Sequence, residues 1–335
     1  MRRKLLYMAV AGGLFALAVW LNNSSSFSSG GGRQITLLAH RGVHQTYSRE
    51  GLTSESCTAT RIFPPTHDFL ENTLASMDAA FSNGADIVEF DIHPTTDGHF
   101  AVLHDWTLDC RTNGTGVTRE HSLAQLKSLD IGHGYTADGG RTFPLRGKGI
   151  GMMPTLDEVL AGFPGKRFLI NIKSNDAAEG DMLAARLASL PAEQRAGLAV
   201  YGGDRPIRRV QAKLPGTPVM SQDSLKQCLL RYMALGWTGY IPDDCRSSII
   251  LVPINIAPWI WGYPHRLIAR MEAAGSQVFV AGRYDGTGFA SGIDDLATLA
   301  RLPVDFSGGV WTNRIERIGQ AAAMRAAGAQ PAGGR

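Results

Sequence analysis

The chain has 335 residues, 44% of them apolar and 19% charged, a globular composition with room for one large domain or two ordinary ones. Lys and Arg total 33 against 30 Asp and Glu, a net charge of +3, which is too balanced for the concentrated basic surface of a nucleic-acid binder. A fibrous protein, a small disulfide scaffold and a multi-span membrane protein are excluded as well, and the 39 glycines, spread without a collagen period, suggest many tight turns.

Met1-Arg2-Arg3-Lys4 precedes an apolar run from Leu5 to Leu21. That run is at the lower limit for spanning a bilayer, and its basic flank stays cytoplasmic, so the remainder of the chain crosses. A secretory signal peptide has the same pattern, but Val19-Trp20-Leu21 is bulky where cleavage needs small residues, which favours an uncleaved signal anchor over residues 1–21. The expected location is therefore exported: anchored in the inner membrane and facing the periplasm, or secreted if the segment is removed. Residues 22–33 carry Ser24-Ser25-Ser26 and Gly30-Gly31-Gly32 and read as a flexible linker.

From residue 34 to 323, short β-branched runs alternate with helical stretches. Expected strands are Ile35–His40, Asp86–His93, Phe100–His104, Phe168–Lys173, Leu198–Gly202, Pro218–Ser221, Ile249–Ile254, Gln277–Ala281 and Gly309–Thr312. Expected helices are Asn72–Asn83, Thr155–Ala161, Ala177–Ser189, Arg205–Lys213, Ser224–Leu235, His265–Ala274, Ile293–Ala300 and Asn313–Ala323. The alternation implies a parallel sheet, and eight such units closed into a ring make a (β/α)8 TIM barrel. Nine strands are one too many; the extra is either Ile249–Ile254 or Phe100–His104. A doubly wound open sheet competes, but no G-x-G-x-x-G follows the first strand. Tyr135–Gly151 reads as an ordered loop over one end of the sheet, and 324–335 as a disordered Ala/Gly/Pro-rich tail.

Chemistry-bearing residues gather at strand ends. His40-Arg41-Gly42 closes the first strand. In Val88-Glu89-Phe90-Asp91-Ile92, alternation sends Glu89 and Asp91 to one face and the apolar residues to the other. Two inward carboxylates repel unless a positive group intervenes, and a divalent cation with oxygen ligands answers that need. His104-Asp105 ends another run, after the tight turn at Asp97-Gly98. Asn171 and Lys173 share a face of their strand, and an inward Lys needs an anionic partner such as a phosphate. Cationic groups to hold an oxyanion, with histidines to move protons, suit metal-assisted phosphoryl transfer.

The motifs His40-Arg41-Gly42, Glu71-Asn72-Thr73, Val88-Glu89-Phe90-Asp91, Thr96-Asp97-Gly98, His104-Asp105, Leu108-Asp109 with Thr112-Asn113-Gly114-Thr115-Gly116, Pro154–Leu160 and Ile172-Lys173 run in this order. In this set the chain resembles the glycerophosphodiester phosphodiesterases, and Gly309–Asn313 resembles their last barrel strand. The resemblance implies a TIM barrel that hydrolyses glycerophosphodiesters to glycerol 3-phosphate and an alcohol, with one Ca²⁺ or Mg²⁺ ion. It implies His40 and His104 as acid and base, Glu89 and Asp91 as metal ligands with Glu71 as ligand or close support, and Arg41 and Lys173 as phosphate contacts. It also suggests a cyclic phosphate intermediate. The family's fourth-strand Glu is replaced here by Asn171, whose carbonyl can ligate a hard cation but adds no charge. A lysophospholipase D-like head-group hydrolase and a catalytically silent phosphodiester-binding barrel are the alternatives.

Four cysteines, Cys57, Cys110, Cys228 and Cys245, allow three pairings; Cys57 with Cys110 and Cys228 with Cys245 is the preferred one. A Cys57–Cys110 bridge would pin the long segment Val43–Leu70 over the barrel mouth. His44, His67, His93, His99, His121, His133 and His265 match no motif, His93 being the first exception because it shares the face of Glu89 and Asp91. Trp259, Trp261 and Trp311 are expected to pack, and the apolar run Val252–Trp261 to lie in the core rather than near a membrane.

Overall fold

In the computed structural model, residues 2–25, 34–53, 56–286 and 291–328 are described. Most of the expected linker, 26–33, and the end of the expected tail, 329–335, lie outside them. The chain opens with α1 (Arg2–Asn23), which buries no residue and is long and apolar enough to cross a membrane by length and composition. After it come β1 (Thr36–His40), α2 (Leu74–Ser82), β2 (Ile87–Pro94), β3 (Phe100–Val102), α3 (Leu123–Lys127), α4 (Leu156–Gly162), β4 (Arg167–Ile172), α5 (Ala177–Ala188) and α6 (Ala192–Ala196). The second half holds β5 (Leu198–Gly202), α7 (Asp204–Lys213), β6 (Val219–Ser221), α8 (Gln222–Leu235), β7 (Ile249–Pro253), α9 (His265–Ala273), β8 (Gln277–Ala281), α10 (Leu296–Leu299), β9 (Gly309–Thr312) and α11 (Ile315–Gly328).

Eight strands follow one another in the order β6-β5-β4-β2-β1-β9-β8-β7, and every pair described along that path is parallel. The ring closes where the Val219 amide donates to the Ser247 carbonyl at 3.0 Å, just ahead of β7. This is the expected (β/α)8 barrel. The ninth strand is β3, which folds back antiparallel on β2 because Gly98, at φ 84°, turns the chain after Asp97. Phe100–His104 is therefore the extra strand, and Ile249–Pro253 a barrel stave.

The barrel is two-sided. Leu38, Ile87, Leu169, Ala199, Met220, Ile249, Phe279 and Trp311 pack inside it, whereas Val88, Phe90, Ile92, Phe168, Ile170, Val200 and Val280 face the covering helices. Alternation along β2 and β4 then leaves Glu89, Asp91 and Asn171 inward, above an apolar floor. A third cluster, with Ala59, Leu70, Leu103, Leu108, Leu126, Tyr135 and Leu145, lies under the long segments 43–70 and 103–153. The structure joins Cys57 to Cys110 there, and Cys228 to Cys245 between α8 and the approach to β7.

Several boundaries differ from the sequence expectation. The helix expected at Ile293–Ala300 is only Leu296–Leu299, because the Ile293 amide donates to the Trp311 carbonyl at 2.8 Å and Asp295 caps the helix. α3 and α6, at five residues each, are too short to show a periodicity. The final helix continues through residues 324–328, which were expected to belong to the tail. Trp311 packs inside the barrel as expected, but Trp259 is 78% exposed. Ile254, Ala257 and Ile260 fill the core positions of that run and leave the indole outside.

Gly42 has φ 75°, and a Cβ there would stand 2.7 Å from the Ser76 carbonyl oxygen. Gly42→Ala is expected to lower the denaturant midpoint at unchanged slope, by at least the roughly 1–2 kcal/mol that a left-handed L-residue costs, and more through the clash with α2.

Candidate active site at the barrel mouth

β1 ends at His40, whose neighbours are displayed by tight backbone geometry. Arg41 (φ 58°) and Asn72 (φ 61°) are non-glycine residues in the left-handed region, a strain that persists only where surrounding bonds over-determine it. For Arg41 these are its amide bonds to the Glu89 carbonyl at 2.9 Å and to Glu89 Oε2 at 3.1 Å. For Asn72, the side chain clamps Asp91: Nδ2 donates to Asp91 Oδ2 at 2.9 Å and Oδ1 accepts from the Asp91 amide at 3.1 Å.

Asp91 is the most heavily engaged group. Asn171 Nδ2 donates to its Oδ1 at 2.7 Å, Lys173 Nζ lies 3.4 Å from the same oxygen, and Arg41 Nε lies 3.2 Å from Oδ2. Burial would raise its pKa, but Lys173 and Arg41 outweigh burial and hold it well below the usual carboxylate range. Glu71 is committed to two guanidinium groups, Arg41 Nη1 at 3.2 Å and Arg111 Nη1 at 2.9 Å. Burial opposes its charge, yet Arg111 and Arg41 bring it down to about 2.

Glu89 differs. It is fully buried, it accepts from the Tyr201 hydroxyl, and His40 Nε2 lies 3.7 Å away. Among the described residues it is the one carboxylate of this cluster with no Lys or Arg side chain within 4 Å. Burial, then Asp91, pushes it up to about 8. The charge count explains this: Arg41, Arg111 and Lys173 face Glu71, Glu89, Asp91 and Asp105, leaving one negative charge uncompensated. A hard cation on the oxygen atoms around Glu89 and Asp91 would neutralise it, so the donor set fits such an ion. The described residues do not supply a ready cage of three or more His, Cys, Asp or Glu side chains, so a ligand set here would draw on Asn171 or on substrate oxygens.

The two histidines are oriented from opposite sides. Asn313 Nδ2 donates to Asp294 at 2.8 Å, which leaves Asn313 Oδ1 to accept from His40 Nδ1 at 2.6 Å. The His40 Nε2 lone pair consequently faces Glu89 and the barrel centre. His104 Nδ1 lies 2.8 Å from Asp105 Oδ1, so its Nε2 is free as well. Burial and then Arg41 lower both rings' pKa, that of His40 well below 6.5.

Sequence reasoning missed the groups that hold these. Arg111 binds Asp105 through Nε (2.7 Å) and Nη2 (3.0 Å), Glu71 through Nη1, and Thr58 Oγ1 at 3.0 Å. It thereby ties the His104 side of the mouth to the Arg41 side, and both of its bridging segments, Cys57-Thr58 and Cys110-Arg111, carry a half of the disulfide. Its position inside the Leu108–Gly116 motif was the available signal. Tyr201, inward by alternation on β5, and Asn313, after β9, were equally legible as inward positions but not as partners. His44 stacks edge-to-face on His40 at 6.1 Å. His93 is buried against Trp106 at 5.9 Å and is lowered to about 4, by burial and then Lys173.

Residues 40–192 match the model of the Glycerophosphoryl diester phosphodiesterase family. A glycerophosphodiester phosphodiesterase of Caldanaerobacter subterraneus subsp. tengcongensis is 41% identical over 103 residues, 31% of this chain and 39% of that protein. One of Bacillus subtilis is 38% identical over 115 residues, 33% of this chain and 38% of that protein. The chain thus matches about two-fifths of the length of these curated relatives. The crystal structure of the Agrobacterium tumefaciens glycerophosphodiester phosphodiesterase superposes with a TM-score of 0.54 at 23% identity, covering 87% of this chain and 99% of that one. An Oleispira antarctica phosphodiesterase solved with its product sn-glycerol-3-phosphate superposes at 0.52 with 19% identity, over 87% and 97% of the two chains.

Removing Arg111 leaves Asp105 and Glu71 buried without their shared cation. Arg111→Met is expected to cost about 3–5 kcal/mol at neutral pH. Because the pKa of Asp105 lies below its unfolded value, the pair's stabilisation is present above the unfolded pKa, about 4, and is lost as pH falls below it. Unfolding curves across pH 2–7 should show the gap between wild type and variant narrowing toward the acid end.

Proposed function

We propose that the chain, whose residues 40–192 match the glycerophosphoryl diester phosphodiesterase family, hydrolyses glycerophosphodiesters to glycerol 3-phosphate and an alcohol. The observation that carries the reading is a pair of half-buried imidazoles, His40 and His104, each with Nδ1 fixed and Nε2 left free, flanking the Asp91 cluster. A barrel that only bound phosphodiesters would have no use for two oriented proton carriers.

Ca²⁺ or Mg²⁺ would be held by Glu89 and Asp91, with Asn171 and Glu71 around them, and when bound would supply positive charge to the phosphoryl oxygens. Arg41 and Lys173 keep N–H donors beyond their bonds to Glu71 and Asp91, and these would bind the phosphate. His40, hydrogen-bonded to a neutral amide, suits the base that takes the proton from a glycerol hydroxyl. His104, backed by the Asp105 carboxylate, better supports an imidazolium and suits the acid that protonates the leaving alcohol. In the second half, His104 would take the proton from water as it opens the cyclic phosphate, and His40 would return one to the glycerol oxygen. α1 would anchor the barrel on the exported side of the inner membrane. That anchor keeps the lysophospholipid head-group reading in view, with the same chemistry and a different ester.

The test is release of glycerol 3-phosphate from glycerophosphocholine with Ca²⁺, with Mg²⁺ and with chelator. Release is expected only with a cation. His40→Ala and His104→Ala should each lower kcat/KM by about 10²–10⁴-fold while leaving the fold intact. Asn171→Glu places a carboxylate beside Asp91 and should lower the cation concentration for half-maximal rate. Release in chelator, or full activity of both His variants, would refute the mechanism. Hydrolysis of lysophosphatidylcholine alone would move the substrate to the head-group reading.

A further inference from the structure

The loop that follows β7 and carries Trp259 and Trp261 plays no part in the site. It leaves the barrel at the end that holds His40 and Glu89, since the Ile254 amide donates to the Ala281 carbonyl at 3.0 Å. Trp259 is 78% exposed and Trp261 37%. Trp261 Nε1 donates to the Met233 carbonyl at 2.8 Å, which joins the loop to the end of α8, where Leu230, Met233 and Leu235 are also exposed. Large apolar side chains gathered on a surface mark an interaction face.

This face meets α1. A groove of about 800 Å³ runs between Phe15, Val19 and Trp20 on the helix and Trp259, Trp261 and Tyr263 on the loop. Phe15 packs edge-to-face on Trp237 at 5.7 Å. Asn22 and Asn23 donate to the Trp237 carbonyl at 3.0 and 2.8 Å, and Arg270 donates to the Asn22 carbonyl at 2.8 Å and to Asn23 Oδ1 at 3.0 Å. Ser25 Oγ donates to the Gly262 carbonyl at 3.0 Å. The end of α1 is thus fastened to the barrel wall rather than leading directly into a free tether.

That attachment fixes a depth. Leu5–Leu21 is only about 25 Å long at 1.5 Å per residue, against a hydrocarbon core of about 30 Å, so the whole run is needed to cross. Phe15 lies eight residues before Asn23, about 12 Å below the end of the helix. The groove wall at Val19 and Trp20, at the outer end of the run, then sits at the outer interface, where Trp and Tyr are the favoured residues, and the contact of Trp237 with Phe15 reaches into the acyl region just below it. We propose that the face formed by Trp237, Trp259, Trp261 and the end of α8 lies in the headgroup layer and the top of the acyl region of the bilayer that α1 crosses, so that the barrel rests on the lipid surface. This rests on the reading of α1 as a membrane span. It differs from the sequence expectation that the run is core.

The experiment uses the full chain reconstituted in phosphatidylcholine vesicles, with and without lipid brominated near the top of the acyl chain, beside Trp259→Phe. Trp259 is mostly exposed, so the variant should fold as the wild type does. Retention of the chain in the membrane under alkaline extraction is measured first. The expected result is retention, quenching of tryptophan emission by brominated lipid, and a quenched signal smaller by roughly a quarter in the variant, because Trp259 is one of four indoles there with Trp20, Trp237 and Trp261. A retained chain whose quenched signal is the same in both proteins overturns the face. Quenching that depends on protein density rather than on bromination puts a second copy there and overturns it too. Release by alkali removes the span itself, a separate failure that takes the inference with it.

Discussion

Everything at the mouth of this barrel follows from burying two carboxylates on one strand face. Strand alternation gives Glu89 and Asp91 the same inward direction, in an interior where an unpaired charge costs several kcal/mol. Asp91 is held by Arg41, Asn72, Asn171 and Lys173, brought from three points of the chain. Glu89 has no cationic side chain of its own and takes up the residual charge as a raised pKa. The left-handed backbone at Arg41 and Asn72 is the geometric consequence, because both residues must turn back onto β2. The same imbalance that leaves Glu89 short of a partner is what the proposed binding of a cation together with an anionic ester would relieve.

Around this centre a second ring of bonds sets direction rather than charge. Asp294 fixes Asn313, which fixes His40; Arg111 fixes Asp105, which fixes His104. The two chains of contact end on opposite imidazoles and differ in kind, one ending in a neutral amide and the other in a carboxylate. In the proposed mechanism that difference would separate the two proton-transfer roles in a way the histidines themselves do not. The Cys57–Cys110 link holds the segments that carry Thr58 and Arg111, so the long segment after β1 takes part in positioning the Asp105–His104 pair.

Much of the barrel was legible in the sequence because its signals are local. β-branched runs, Asp-Gly turns and the alternation in Val88–Ile92 and Phe168–Lys173 each depend on a few adjacent residues, and they placed the strands to within one or two positions. The count of nine resolved once β3 was seen to pair antiparallel with β2, a fact about partners that no single run contains. The run Val252–Trp261 is core at Val252, Ile254, Ala257 and Ile260, as expected, and departs from the expectation at Trp259 for a related reason. Apolar character marks residues that avoid water, but not whether a core or a lipid face shields them, and here Ile254 and Ile260 turn inward while Trp259 turns out.

The residue types and their spacing alone determined the barrel class, the inward direction of Glu89, Asp91 and Asn171, the strand-end histidines and the apolar N-terminal run. Those are consequences of backbone periodicity and of side-chain chemistry, which travel with the sequence. Only the tertiary structure decided who meets whom: Asn313 on His40 from 273 residues away, Arg111 shared between Asp105 and Glu71, Tyr201 on Glu89, and α1 against the indoles of the barrel wall. Hydrogen bonds and ion pairs act over about 3 Å in space, whatever the separation along the chain, and closing the ring is what brings those distances into being.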